Sequence, residues 1–253
     1  MSGLRPTLPA GWQLVCYDAV GSTNDEARHL ARDGAAEGTV VWAKEQTAGR
    51  GRLGHRWISP PGNLYVSLIL RPDFPPRRAA QLGFVAALAI GNALGALLPR
   101  LDGISYKWPN DVLVKSRKIA GILLESETTK PDRLGFLIIG AGINLASSPS
   151  PTEYPATSLR EEGLGEIRPA AMLAELCGHF DSWKKRWSSQ GFAPVRAAWL
   201  AHAASHREFI RVRLERGTLH GRFLDIDELG ELVLEDAGKQ HRVSAGEVFL
   251  VNH

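Results

Sequence analysis

The apolar positions along this chain change period several times, and each change marks an element. Residues 12–20 read as a strand. A helix is expected next, because Thr23 and Glu26 stand at capping-box spacing and Ala27, Leu30 and Ala31 share one face. Residues 40–45 form a second strand, and 47–61 a polar loop dense in Gly and Arg. In 64–70 the leucines and valine recur every second residue, yet Tyr65 and Ile69 between them are apolar too, so this strand should be buried on both faces. Residues 78–98 follow as a core helix.

A dense β region comes next. Segments 105–107 and 112–115 flank a Pro109-Asn110-Asp111 corner, and 118–125 and 136–144 have the apolar character of central strands. Residues 147–155 form a Pro/Ser-rich loop, and 169–187 and 195–204 read as helices. From about His206 the pattern turns to short β segments at 209–214, 219–226, 232–234 and 248–251, punctuated by Gly217, Gly230, Gly238 and Gly246. The expected architecture is α+β: a mixed-sheet domain over residues 1–205 and a small β-barrel over 206–253.

Composition narrows the function classes. The excess of basic residues is only three, and they are scattered apart from Arg50, Arg52 and Arg56, so a nucleic-acid surface is not expected. Two distant cysteines make neither a disulfide framework nor a metal cluster, which fits a reducing cytoplasm. The first nine residues lack a signal-peptide pattern, and the apolar run 84–98 is short and broken by Gly91, Asn92 and Gly95, so no membrane association is expected.

Four segments carry candidate chemistry. Between Gln46 and Trp57, Gly49, Gly51 and Gly54 allow positive φ and close ligand approach; Arg50, Arg52 and Arg56 suit phosphate or carboxylate, and the indole offers a ring face. No Gly-Lys-Ser/Thr follows, so this is not a Walker loop. In Lys107-Trp108-Pro109-Asn110-Asp111 the proline fixes a corner from which Asn110 and Asp111 emerge; the carboxylate can orient a lysine, hold Mg²⁺, or simply close an Asx turn. Lys118 opens an apolar strand containing Gly121, and a short hairpin would bring it to Asp111, where its charge can stabilise an attacked phosphate. Gly140-Ala141-Gly142-Ile143-Asn144 ends a strand with small residues, leaving room for a neighbouring element or a flat ring, and Asn144 can pair with an adenine edge.

Together with Ser22-Thr23-Asn24 and Ala156-Thr157-Ser158-Leu159, these segments resemble the biotin–protein ligase family, in the family's order, over residues 12–159. The resemblance implies a biotin/lipoate ligase-like catalytic domain with an SH3-like C-terminal domain. It also implies a two-step reaction: biotin and MgATP give biotinyl-5′-AMP, and a lysine of a biotin carboxyl carrier protein then displaces AMP.

By matching position, Ser22, Thr23, Asn24, Gln46, Gly49, Arg50, Gly51, Arg52, Lys118, Gly121 and Gly140 are implied on biotin. Arg50, Arg52, His55, Arg56, Trp57, Asn110, Lys118 and Asn144 are implied on the adenylate. Lys118, Arg52 and Asp111 are implied at the reacting centre, with Mg²⁺ carried mainly by the ATP phosphates and Asp111 as a further candidate ligand.

The departures are His55, where many relatives carry another basic residue, and Val251, where some relatives place an ATP-contacting arginine beyond a position matching Glu247. Some relatives begin with a winged helix; here Trp12 already opens the catalytic pattern, so no repressor role is expected. A homodimer is a family expectation. The competing readings are a lipoate ligase or octanoyl transferase of the same superfamily, and a non-catalytic nucleotide- or RNA-binding protein. Replacing Arg52 by Gly is expected to loosen the loop and release activated biotin, so that mass spectrometry of a bystander protein finds extra biotinylated lysines; no extra labelling would count against this role.

Overall fold

The computed structural model describes residues 6–250. A seven-stranded mixed sheet is formed in the order β1-β2-β3-β7-β6-β5-β4, where β1 is Gln13–Val20, β2 Thr39–Gln46, β3 Leu64–Leu70, β4 Ile104–Lys107, β5 Asp111–Val114, β6 Arg117–Lys130 and β7 Arg133–Ile143. Helix α1, Thr23–Arg32, makes the crossover between the parallel pair β1 and β2, and every other neighbouring pair is antiparallel. The expected two-faced burial of β3 is observed at all seven residues. Leu68 and Leu70 join the large core under helices α2, Gln81–Leu97, and α3, Pro169–Gln190, whereas Ile69 packs with Ala27 and Ala31 of α1 on the other side.

Helix α1 starts differently from the expectation. Its N-cap is Ser22, with no side-chain capping bond, and Thr23 is the first helical residue. The Thr23 hydroxyl and amide both donate to Gln46 instead, so an interaction across the sheet replaces the local cap. The run Pro76–Leu97 is long and apolar enough to cross a bilayer by length and composition, contrary to the expectation from residues 84–98 alone; 72% of its most apolar window is buried inside the protein. Phe84 at its centre meets Phe192 and Trp199 edge-on, and Gly91 lies against the Tyr106 ring.

Turn chemistry sets the strand ends. Lys115 and Ser116 both have positive φ and form the β5–β6 turn, so Lys115 leaves the strand in which the apolar pattern put it. Helix α4, Ala193–Leu200, ends before the expected residue 204, because Ala203 and Ala204 pair with Tyr106 along β4.

The C-terminal sheet has the order β11-β10-β9-β8-β12, with β8 Phe209–Arg213, β9 Thr218–Ile226, β10 Leu232–Asp236, β11 Lys239–Val243 and β12 Glu247–Leu250. Strand β11 has no apolar alternation and was absent from the sequence pattern. It forms because Ala237 and Gly238, both at positive φ, make a two-residue turn that returns the chain onto β10. The sheet is fastened to the larger unit by Trp108 Nε1 donating to Gly230 O at 3.0 Å and Gln81 Nε2 donating to Glu228 O at 2.7 Å. Val251 lies outside the described residues.

An added Cβ at Gly91 would sit 2.2 Å from the Tyr106 hydroxyl oxygen, in a fully packed interior. Gly91→Ala is therefore expected to destabilise the protein by about 1–3 kcal/mol in urea unfolding, the scale for overpacking a core.

Candidate active site

Residues from both sheets enclose a cavity of about 380 Å³. All three residues Ser22, Thr23 and Asn24 are buried at the start of α1, facing the ends of β2 and β3. Thr23 N and Oγ1 donate to Gln46 Oε1 at 2.8 and 3.1 Å, and Gln46 Nε2 donates to Ser59 Oγ at 2.9 Å. Ser67 Oγ lies 2.8 Å from Thr23 Oγ1 and 2.6 Å from Asn24 Oδ1. This is a small, fixed array of donors and acceptors inside apolar walls, the kind of lining that orients a compact polar head group.

The Gly–Arg loop is a hairpin. Trp57 N donates to Gly49 O, Gly51 N to His55 O, and Arg50 pairs with Arg56. The expectation of positive φ at its glycines holds only for Gly54; the other left-handed residue is Leu53. Gly49 is needed for a different reason: an added Cβ would lie 2.5 Å from Trp57 O and 2.6 Å from Ser59 Oγ. Arg52 Nη1 donates to Gly246 O at 3.1 Å, and His55 Nε2 is 3.3 Å from a Glu247 carboxylate oxygen, so the hairpin tip rests on the C-terminal sheet. Burial lowers the Arg52 pKa, opposed by Asp111 and Glu247 nearby. Arg56 is exposed at the rim.

Small residues on β6 and β7 accept larger side chains. Trp57 packs on Gly121 and Gly142, and Asn24 on Gly140. Packing of a neighbouring element, one of the two uses open for these residues, is observed. The Trp57 indole lies 5.3 Å from Lys118 Nζ. Asn110 Nδ2 donates to Ile122 O at 2.8 Å, and Asn144 Nδ2 to Thr157 O at 3.1 Å.

Lys118 and Asp111 meet as the hairpin expectation required. Lys118 Nζ is 2.6 Å from Asp111 Oδ1, and Lys107 Nζ is 3.1 Å from Oδ2. Lys107 also donates to Val248 O and lies 3.8 Å from the Tyr154 ring. Burial pushes the Asp111 carboxyl pKa up, but the two ammonium groups outweigh it and the net displacement is downward. The Lys107 pKa moves down, with burial opposed by Asp111. A carboxylate clasped by two cations is a poor metal ligand, and among the described residues no group of three His, Cys, Asp or Glu side chains is placed to hold a metal. Asp111, engaged by both lysines, therefore fits the role of a magnesium ligand poorly.

Despite this dense bonding, Trp57 Nε1 and Asn144 Oδ1 are buried without a hydrogen-bond partner. Orphaned polar atoms are costly, and two of them lining one cavity point to a ligand that completes them.

The sequence reading missed several residues of this site. Ser67 carried a signal, as the sole short hydroxyl in an apolar strand. Asp25 and Glu125, which bind Arg50, and Tyr154 carried none, because their partners lie far away in the chain.

Residues 8–201 match the model of the biotin/lipoate A/B protein ligase family, and residues 208–251 match the biotin protein ligase C terminal domain. The chain belongs to the biotin/lipoate A/B protein ligase family. It is 41% identical over 233 residues to the biotin–[acetyl-CoA-carboxylase] ligase of Paracoccus denitrificans, covering 90% of this chain and 96% of that protein. It is 37% identical to the bifunctional ligase/repressor BirA of Bacillus subtilis, covering 89% of this chain and 70% of BirA. The biotin protein ligase from Aquifex aeolicus, solved in complex with biotin and ATP, superposes with a TM-score of 0.81 at 26% identity over 94% of this chain and 97% of that one.

In this family member, Asp111→Asn would leave one buried and one partly buried ammonium group without a counter-charge. A loss of about 3–5 kcal/mol in urea unfolding at neutral pH is expected. Because the folded pKa is lowered, the carboxylate's contribution is complete above the unfolded value near 3.8 and is lost as pH falls below it. The stability gap between wild type and variant should therefore close on acidification, and a pH-independent gap would refute this assignment.

Proposed function

We propose that this chain is a biotin–protein ligase that activates biotin with ATP and transfers it to a lysine of a biotin carboxyl carrier protein. The observation that carries the reading is the Lys118 ammonium, fixed 2.6 Å from Asp111 in the wall of a cavity that also contains the Thr23–Gln46 array and Asn144.

In the first step a biotin carboxylate oxygen attacks the α-phosphorus of MgATP. The bond from that phosphorus to the bridging oxygen breaks, and pyrophosphate leaves. In the second, the acceptor amine attacks the acyl carbon, the bond to AMP breaks, and the amine proton passes to solvent. Both steps gather negative charge on phosphate oxygens, and a preorganised lysine in a water-poor site stabilises it. Asp111, kept ionised by its two lysines, holds Lys118 in position.

Ser22, Thr23, Asn24 and Gln46 receive the ureido head, with Gly140 leaving room for Asn24. Asn110 and Asn144 serve the adenylate. Gly121 lets Trp57 settle beside Lys118, and Gly49 and Gly51 let the hairpin pack over the intermediate. Arg52, His55 and Arg56 form the rim on the phosphate side. The catalytic unit comprises residues 1–205 and the C-terminal unit 206–253, since Ala204 still bonds Tyr106 whereas Arg207 bonds Phe223. Homodimers pair through β1: the other edge strand, β4, is already covered by residues 202–204. The proposed reaction suits a reducing cytoplasm, with which the two distant cysteines are consistent.

The test is exchange of radiolabelled pyrophosphate into ATP, with biotin, lipoate and octanoate as alternatives. Biotin alone should support exchange; lipoate-dependent exchange would change the substrate, and none with any acid would sink the reading. Lys118→Ala should lower the biotin-dependent rate by about 10²–10³-fold.

A further inference from the structure

Arg50 stands in the Gly–Arg hairpin but does not present a free charge to the cavity. Its Nη2 donates to Asp25 Oδ1 at 2.7 Å, and its Nη1 bonds the other oxygen of the same carboxylate. Glu125 Oε1 on β6 lies 3.6 Å away. Asp25 lies in the first turn of α1, and Arg28 one turn later bonds both carboxylates, at 2.7 Å to Asp25 and 2.8 Å to Glu125. Two guanidinium groups and two carboxylates therefore form a closed, partly buried square between α1, β6 and the hairpin. The Arg50–Asp25 pair holds the Arg50 pKa up and the Asp25 pKa down, burial opposing both.

We infer that Asp25 is a positioning residue that seats the Gly–Arg hairpin over the cavity by clamping Arg50. The inference rests on the ligase reading for its consequence, retention of the activated acid. A bidentate guanidinium–carboxylate pair fixes direction as well as distance, and its charges cancel locally. Arg50 therefore tethers the hairpin base, while Arg52 and His55 hold its tip on the C-terminal sheet. Trp57, on the opposite limb, is brought onto Gly121 and Gly142 by the same closure. Asp25 does not line the cavity, so its effect passes through the hairpin.

The test compares Asp25→Asn, Asp25→Glu and Arg50→Gln in the full chain, with circular dichroism to confirm folding. Trypsin cleavage after Arg52 reads hairpin opening without any need for activity. Release of preformed biotinyl-5′-AMP and exchange at saturating biotin and ATP read the functional consequence. Asp25→Asn and Arg50→Gln should each raise cleavage and release by about tenfold, the double variant should add little more, and Asp25→Glu should restore both. Saturated exchange should stay within about threefold of wild type in Asp25→Asn and Asp25→Glu. Arg50→Gln carries the same expectation from the loop side should Asp25→Asn not fold. An Arg50→Gln variant slowed tenfold or more in saturated exchange, with Asp25→Asn indistinguishable from wild type throughout, would overturn the inference and put Arg50 on the phosphates. A wild-type protein without biotin-dependent exchange would refute the ligase reading, and trypsin cleavage would still decide the clamp.

Discussion

A buried carboxylate cannot stand alone, and much of this site follows from how Asp111 is compensated. Its two oxygens face Lys118 from β6 and Lys107 from β4, which fixes the register of three strands around one charge. Three charges in a confined space leave one net positive charge, so the cavity attracts an anion before any loop residue takes part. Lys107 then reaches the carbonyl of Val248, which makes the C-terminal sheet a wall of the same cavity.

Around this centre the chain uses size as much as polarity. Gly121, Gly140 and Gly142 are where β6 and β7 give up side chains so that Asn24 and Trp57 can approach the sheet. Ile119 and Ile122 of β6 and Leu137, Ile139 and Ile143 of β7 join the core under α2 and α3 and anchor the sheet there. Rigid strands carry the lysines and the carboxylate, whereas the hairpin that covers them is held by ion pairs and single hydrogen bonds. Such a division suits a site that must open for substrates and close over a hydrolysable intermediate.

The sequence made the centre legible because its signals are local. Asp111 and Lys118 lie a few residues apart on what reads as a short hairpin, so their meeting was expected, whereas the contact of Lys107 with the same carboxylate was not. Strand β3 and helix α2 were legible from their apolar runs. Strand β11 was not, because it forms from a two-residue turn rather than from side-chain patterning. The partner of Arg50 was hidden for another reason: Asp25 lies 25 residues away, and nothing in a run of charged helical residues marks the one that faces a loop. The cap of α1 misled for a related cause, since Thr23 is satisfied by Gln46 across the sheet and not by its own turn.

The Lys107–Val248 and Arg52–Gly246 bonds join positions 141 and 194 residues apart. During synthesis, the lysines and the Gly–Arg hairpin leave the ribosome long before β12 does. Until that last strand arrives, the half-built site has no wall on this side and nothing for the hairpin tip to rest on. A nascent chain can thus assemble its charge-stabilising lysines before it has the strand on which the hairpin tip rests. Vectorial folding delays containment to the final strand, so an unfinished ligase is poorly equipped to keep a promiscuous acylating agent.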